Sequence, residues 1–335
     1  MTNESYQQDD SIEFIELDAD GGRVAVKWAK FYKDALAKLS DNKYDIAIAA
    51  DLYSLPIIAK LRKDDRASYS IYDSREIYSS LGSLEKRPIS QRVLQYIENR
   101  SIKYIDHLVA SGLDDIDYLK GIFQWEKPTT LIKNLPPKTE LKKTDELRQS
   151  LGIEGSSLIA VYQGAIVKGR GIGLSIEAIS SLESWVLVII GGGPDLDYYI
   201  DKATGCDNIF FTGSVPYDRL LNLTASADLG LCIIEPITLS YRYALPNKLF
   251  EYMMAGLPVL SSDMPQMEKT VKESNCGLTL EWPIAASDIV DALNNLSKND
   301  GELLNKYTQF SREASKHYSY ESQLGNIAEM LNQAG

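Results

Sequence analysis

The chain has 335 residues, 44% of them hydrophobic, with 35 Lys and Arg against 47 Asp and Glu for a net charge of −12. That length suits two α/β domains rather than one core, and an acidic chain without a basic tract is disfavoured as a binder of polymeric nucleic acid. Cys206, Cys232 and Cys276 stand far apart with no CxxC pair, and no apolar run reaches about 18 residues, so a reducing cytoplasmic home without disulfide framework, zinc site or signal peptide is expected.

Residues 1–10 read as a disordered lead. Alternation in Ile12 to Leu17 predicts a strand, Gly21-Gly22 a turn, and Val24 to Leu39 a helix. The glycine pair is either the close-approach loop of an opening βα unit or only a turn. Buried strands follow at Tyr44 to Ala50 (YDIAIAA) and Tyr69 to Asp73, separated by a helix through Arg62. Both strands carry polar residues at their carboxyl ends, Asp51 after the first and Asp73-Ser74-Arg75-Glu76 after the second, where open parallel sheets bind ligands. A helix over Ile89 to Tyr104 and a strand over His107 to Ala110 come next. His107, in an apolar strand, reads as a structural histidine, and His317 has no obvious partner. Thr130 to Asn134 is the last strand of this half, and Leu135-Pro136-Pro137 is a stiff linker.

Beyond the linker, apolar strands alternate with helices: Leu158 to Gln163, Val186 to Ile190, Ile209 to Thr212 and Leu229 to Ile233 are the strands before the last helix-strand unit. Richness in Val and Ile at this spacing predicts a doubly wound parallel sheet. Gly164 to Gly173 (GAIVKGRGIG) leads from a strand into a helix, so its backbone amides, with Lys168 and Arg170, form either an anion-binding loop or a solvated basic turn. Leu245 to Asp263 (LPNKLFEYMMAGLPVLSSD) reads as loop, short helix and buried strand. Pro246 or Asn247 starts the helix, Lys248 puts a cation in its first turn, and Glu251 adds an acceptor one turn later. That combination either holds a phosphate bonded to a sugar, as in a nucleotide, or is an ordinary helix ending in Gly256. A last helix over Tyr318 to Gln333 has apolar residues at Leu324, Ile327 and Leu331.

NKLFEYMMAGLPVLSSD resembles the donor-site signature of retaining glycosyltransferases of the GT-B fold, in particular glycosyltransferase family 4 (glycosyl transferases group 1). The resemblance implies two Rossmann-like domains facing a cleft: residues 1–137 on the acceptor side, 138–315 holding the donor, and a helix at 316–335 that crosses back to the first domain or packs on its own. It makes Glu251 the ribose ligand and Lys248 a diphosphate contact, while GAIVKGRG resembles the loop that places Arg170 on the diphosphate. Gly191-Gly192-Gly193-Pro194 resembles a cleft-lining IGxGP turn, and Thr212 to Pro216 resembles an FxGxV segment whose backbone, at Val215, faces the base. Ser240 to Ala244 would lie beside the sugar and phosphates, with Arg242 either a phosphate contact or a solvated loop residue. Departures are as specific. Tyr243 stands where the family often has Glu, Ala49 and Ala50 where His is common, and Arg75, before Glu76, where the usual His contacts the transferred sugar. Arg75 either stabilises leaving-group charge or pairs with Asp73 or Glu76. Only about 43 residues precede YDIAIAA, which implies a shortened N-terminal domain.

The expected activity is metal-independent transfer of a sugar from a nucleotide-sugar to an acceptor hydroxyl with retention, in glycan or polysaccharide biosynthesis. The expected catalytic set is Arg75, Glu76, Arg170 and Lys248. The expected donor set is Gly164, Arg170, Gly192, Val215, Tyr243, Asn247, Lys248 and Glu251. No cofactor is expected, the nucleotide-sugar being a co-substrate, and the acceptor is a sugar or glycolipid. The departures motivate the alternative of a catalytically impaired subunit that binds nucleotide or a partner chain, with peripheral contact to the inner face of a membrane as a further expectation. A GT-B epimerase is disfavoured, since the cleft segments hold no histidine and carboxylate set for proton transfer.

Overall fold

The computed structural model describes residues 12–17, 24–39, 41–81, Leu84, 86–153 and 155–334. The expectations for residues 1–10 and for Gly21-Gly22 lie outside these. Residues 12–17 carry no regular structure and are largely exposed, Phe14 at 63%, so the predicted strand is absent there. Alternation supplies one apolar face, but a strand also needs a neighbour for its backbone groups.

Four parallel strands form the first sheet in simple order: β1 (Tyr44–Ala49), β2 (Ala67–Ser74), β3 (His107–Ala110) and β4 (Thr129–Leu131). Helices Leu55–Lys63, Pro88–Ser101 and Leu113–Phe123 connect them. Leu52, Leu55, Leu61, Tyr72, Leu108 and Leu119 make the main core of this half. His107 is 1% exposed and engages both ring nitrogens, with the Tyr69 hydroxyl at 3.2 Å and Thr130 Oγ1 at 2.8 Å; burial lowers its pKa, as a structural histidine requires.

Six parallel strands form the second sheet: β5 (Leu158–Gln163), β6 (Trp185–Ile190), β7 (Ile209–Gly213), β8 (Leu229–Cys232), β9 (Val259–Ser262) and β10 (Gly277–Leu280), in the order β10-β9-β8-β5-β6-β7. The chain runs outward from β5 to β7, then returns to the other side of β5 and runs outward again. Strand order therefore reverses between β5 and β8, and the connections diverging there open a crevice at the strands' carboxyl ends. Apolar clusters cover both faces, which explains why β6 (WVLVII) is buried along its whole length.

Two stretches join the halves. The linker after β4 is met by a short 3-10 turn, Tyr320–Gln323, whose Gln323 side chain accepts from Lys133 N at 2.7 Å and donates to Lys133 O at 2.9 Å. Helix Leu324–Asn332 then lays Met330 against Ile71 and Val109 on the first sheet. Of the apolar residues noted in its sequence, Leu324 and Leu331 are 47% and 37% exposed and Ile327 is half-buried, whereas Met330 is the buried one. Among the described residues no helix is long and apolar enough to cross a membrane.

Candidate active site

The crevice at the β5/β8 switch point faces the carboxyl ends of β2 and β3 and encloses a cavity of about 460 Å³ lined from both halves. Its donor wall begins with helix Asn247–Met254. Pro246, extended at ψ 145°, precedes the first turn; Leu249 N donates to the Pro246 carbonyl at 3.1 Å, no side chain caps the turn, and Asn247 and Lys248 line the cavity. Burial of Leu249, Phe250, Tyr252 and Met253, all 0% exposed, fixes the helix against the second sheet. At roughly 1.5–3 kcal/mol for each large apolar side chain buried, that anchoring offsets the cost of holding Lys248 and Glu251 inside. Helical spacing then turns Lys248 and Glu251 to one face, at 9% and 6% exposure.

Lys248 Nζ lies 3.6 Å from the centre of the Tyr162 ring, a cation–π contact. Burial drives the Lys248 pKa down to about 7, and Arg170 lowers it too, while Cys232 and Glu251 oppose them. Gly164 adopts φ +122°, and a Cβ there would sit 3.7 Å from Lys248 Nζ. The backbone beside the ammonium is thus bare, and left-handed geometry of this kind favours glycine. Arg170 is held differently: its guanidinium carbon is 4.4 Å from the centre of the Tyr241 ring, leaving its donors free for an anion.

Glu251 is oriented by a hydrogen-bond chain. Thr224 Oγ1 donates to Gln163 Oε1 at 2.5 Å, and Gln163 Nε2 donates to Glu251 Oε2 at 2.5 Å. Because a carboxylate only accepts, it fixes which end of the Gln163 amide faces it. The Tyr217 hydroxyl lines the cavity beside Glu251 and helps hold its carboxyl pKa down. Burial raises the Glu251 pKa, with Gln163, Tyr217 and Lys248 holding it back. The next residue, Tyr252, places its hydroxyl among Gln163 N (3.1 Å), Val161 O (3.2 Å) and Leu231 O (3.2 Å), which locks this helix to β5 and β8.

The opposite wall belongs to the first half. Arg75 Nε donates to Asp73 Oδ2 at 3.2 Å, the pairing that competes with a role on a leaving group. Glu76 opens to the cleft; the surrounding protein raises its carboxyl pKa, and the Arg170 charge from across the cleft partly offsets this. Tyr243 sits with its ring centre 6.3 Å from that of Tyr118.

Of the residues expected from the sequence, Arg75, Glu76, Gly164, Arg170, Tyr243, Asn247, Lys248 and Glu251 line this one cavity. Gly192 and Val215 do not. A Cβ on Gly192 would lie 2.7 Å from Ser214 Oγ, and its carbonyl accepts from Ile166 N at 2.9 Å; Val215 packs against the apolar core. Tyr162, Gln163, Tyr217 and Asp115 also line it and were not singled out by sequence reasoning. Gln163 at the end of a buried strand carried the one available signal, a polar side chain where apolar ones run.

The family profile described as glycosyl transferases group 1 matches residues 143–317, more than half of the chain. A protein of Bacillus subtilis whose name assigns it to teichuronic acid biosynthesis as a glycosyltransferase, TuaC, is 31% identical over 121 residues, 36% of this chain and 28% of that protein. Among solved structures, sucrose-phosphate synthase from Thermosynechococcus elongatus superposes with a TM-score of 0.76 at 16% identity, covering 92% of this chain and 79% of that one. Anabaena HepE in complex with UDP-glucose superposes at 0.73 with 17% identity, covering 92% and 82%. The chain spans from 28% to 66% of the length of the curated relatives it matches.

Proposed function

Because the chain belongs to the glycosyl transferases group 1 family, we propose that it moves a glycosyl group from a nucleoside-diphosphate sugar to an acceptor hydroxyl with retention at the anomeric carbon, in glycan or polysaccharide biosynthesis. The observation that carries this reading is the convergence of Lys248, Arg170, the uncapped first turn of helix Asn247–Met254 and buried Glu251 in one cavity. Two cations and a helix N-terminus suit a diphosphate, and an oriented carboxylate three residues on suits the ribose hydroxyls. In the reaction the bond from the anomeric carbon to the diphosphate oxygen breaks on the face where the acceptor oxygen bonds. The departing phosphate takes the acceptor's proton, and Arg170 and Lys248 stabilise the charge that develops on it. No step requires a metal in this account. The Arg75–Asp73 pair favours a second reading, a nucleotide-binding subunit with little turnover of its own.

Calorimetric titration with UDP, GDP and ADP, without added metal, tests the pocket. One nucleotide should bind selectively, and Glu251→Ala should abolish that binding while leaving the circular dichroism spectrum unchanged. Failure of all three to bind refutes the donor site; binding without transfer to any sugar acceptor selects the second reading.

A further inference from the structure

Asp115 lies in the first turn of helix Leu113–Phe123 and lines the cleft from the first half, 8% exposed. Its carboxyl has no hydrogen bond or ion pair among the described residues, yet its oxygens are not sealed from the cleft. Burial pushes its pKa up to about 7, and the charges that bear on it, Asp114 and Glu76, are both negative. A buried carboxyl with no donor and no cation costs free energy unless something supplies a hydrogen bond. Its backbone is firmly placed: Leu113 N donates to Gln266 Oε1 of the second half at 3.1 Å, and a Cβ on Gly112 would lie 2.9 Å from Asp115 Oδ2 and 2.4 Å from Gln266 Nε2. Gln266 Nε2 is itself a buried donor without a partner, so a purely structural pairing of Asp115 with Gln266 is the competing explanation.

Resting on the transferase reading above, we infer that Asp115, with Glu76, receives hydroxyl groups of the acceptor and selects an acceptor whose reacting end carries no negative charge. Lys248, Arg170 and Glu251 line the cleft from the second half; on the first half Arg75 is engaged by Asp73, while Glu76 and Asp115 line the same cleft and bear on each other as like charges, so an anion beside them would meet two carboxyls. A neutral polyol satisfies both, because each sugar hydroxyl donates one hydrogen bond. A uronic acid or phosphate presented there is rejected by like charge and by the loss of those bonds.

The test uses a pair of probes that differ at one carbon, p-nitrophenyl β-glucoside and p-nitrophenyl β-glucuronide, read by saturation-transfer NMR on the full chain with and without UDP. The glucoside should bind at least about tenfold more tightly than the glucuronide. Glu76→Gln with Asp115→Asn should bring the two within about twofold, chiefly through tighter glucuronide binding. Gln266→Ala should leave the preference intact, whereas a structural Asp115–Gln266 pair predicts that Asp115→Asn and Gln266→Ala alter thermal stability and leave the glucuronide excluded. Equal binding of the two probes by the unmodified chain, an unchanged preference in the double variant, or no binding of either glycoside overturns the inference. Loss of UDP binding in parallel calorimetry bears instead on the transferase reading.

Discussion

Raising the pH from 7 to 9 should weaken nucleoside-diphosphate binding about fiftyfold, through Lys248 alone. The side chain is 9% exposed, and burial lowers its pKa to about 7. In the free protein about half of the molecules carry the ammonium at pH 7 and about 1% at pH 9. A diphosphate beside Nζ requires the charged form, so binding above pH 7 takes up a proton and affinity falls as pH rises. The full effect corresponds to roughly 2 kcal/mol. The terminal phosphate of the ligand ionises near pH 6, below this window, so it does not contribute. The assay is calorimetry with UDP at pH 7, 8 and 9, repeated in buffers of different ionisation enthalpy to count the protons taken up. Lys248→Arg should bind with little pH dependence, and Lys248→Met weakly and also with little. A change of less than about threefold across the window, or no proton uptake, refutes the assignment of Lys248 to the diphosphate.

Glu98 offers a stability counterpart. It is 1% exposed, accepts from the Tyr72 hydroxyl at 2.7 Å, and burial raises its pKa to about 7 from the ordinary 4.5. The folded chain keeps that proton while the unfolded chain releases it, so stability falls as pH rises from about 4.5 to 7; Glu98→Gln should recover up to roughly 3 kcal/mol at pH 8, read by urea denaturation. Gly230→Ala should cost about 3 kcal/mol or more, because the added Cβ would lie 2.3 Å from the Tyr252 ring, and thermal melting measures it. Tyr252→Phe leaves Gln163 N without its acceptor and should lower stability by about 1–3 kcal/mol, with a loss of nucleotide affinity as the helix loosens.

The donor wall was legible because its residues lie within short segments. NKLFEYMM fixes by helical period which side chains share a face, and GAIVKGRG fixes by its glycines where the backbone is bare. The alternation of β5 to β10 with helices likewise announces a parallel sheet without any tertiary knowledge. What the sequence hides are pairings across long separations. Gln163 and Glu251 are 88 positions apart, and Asp115 reads as one acid among several until its helix is packed beside Gln266, 153 positions from its Leu113. Ile12 to Leu17 shows the reverse error, a local pattern that pairs with no strand among the described residues. In the last helix the apolar residues Leu324, Ile327 and Leu331 left the packing open, and the sheet it meets takes Met330.

That last contact has a consequence for synthesis. Ile71 and Val109, on the uncovered side of the first sheet, meet Met330, which the ribosome adds more than 200 positions after Val109. Proteins usually mature domain by domain as the nascent chain lengthens. Here the earlier-made half lacks its Met330 cover over Ile71 and Val109 until the last helix of the chain has been made.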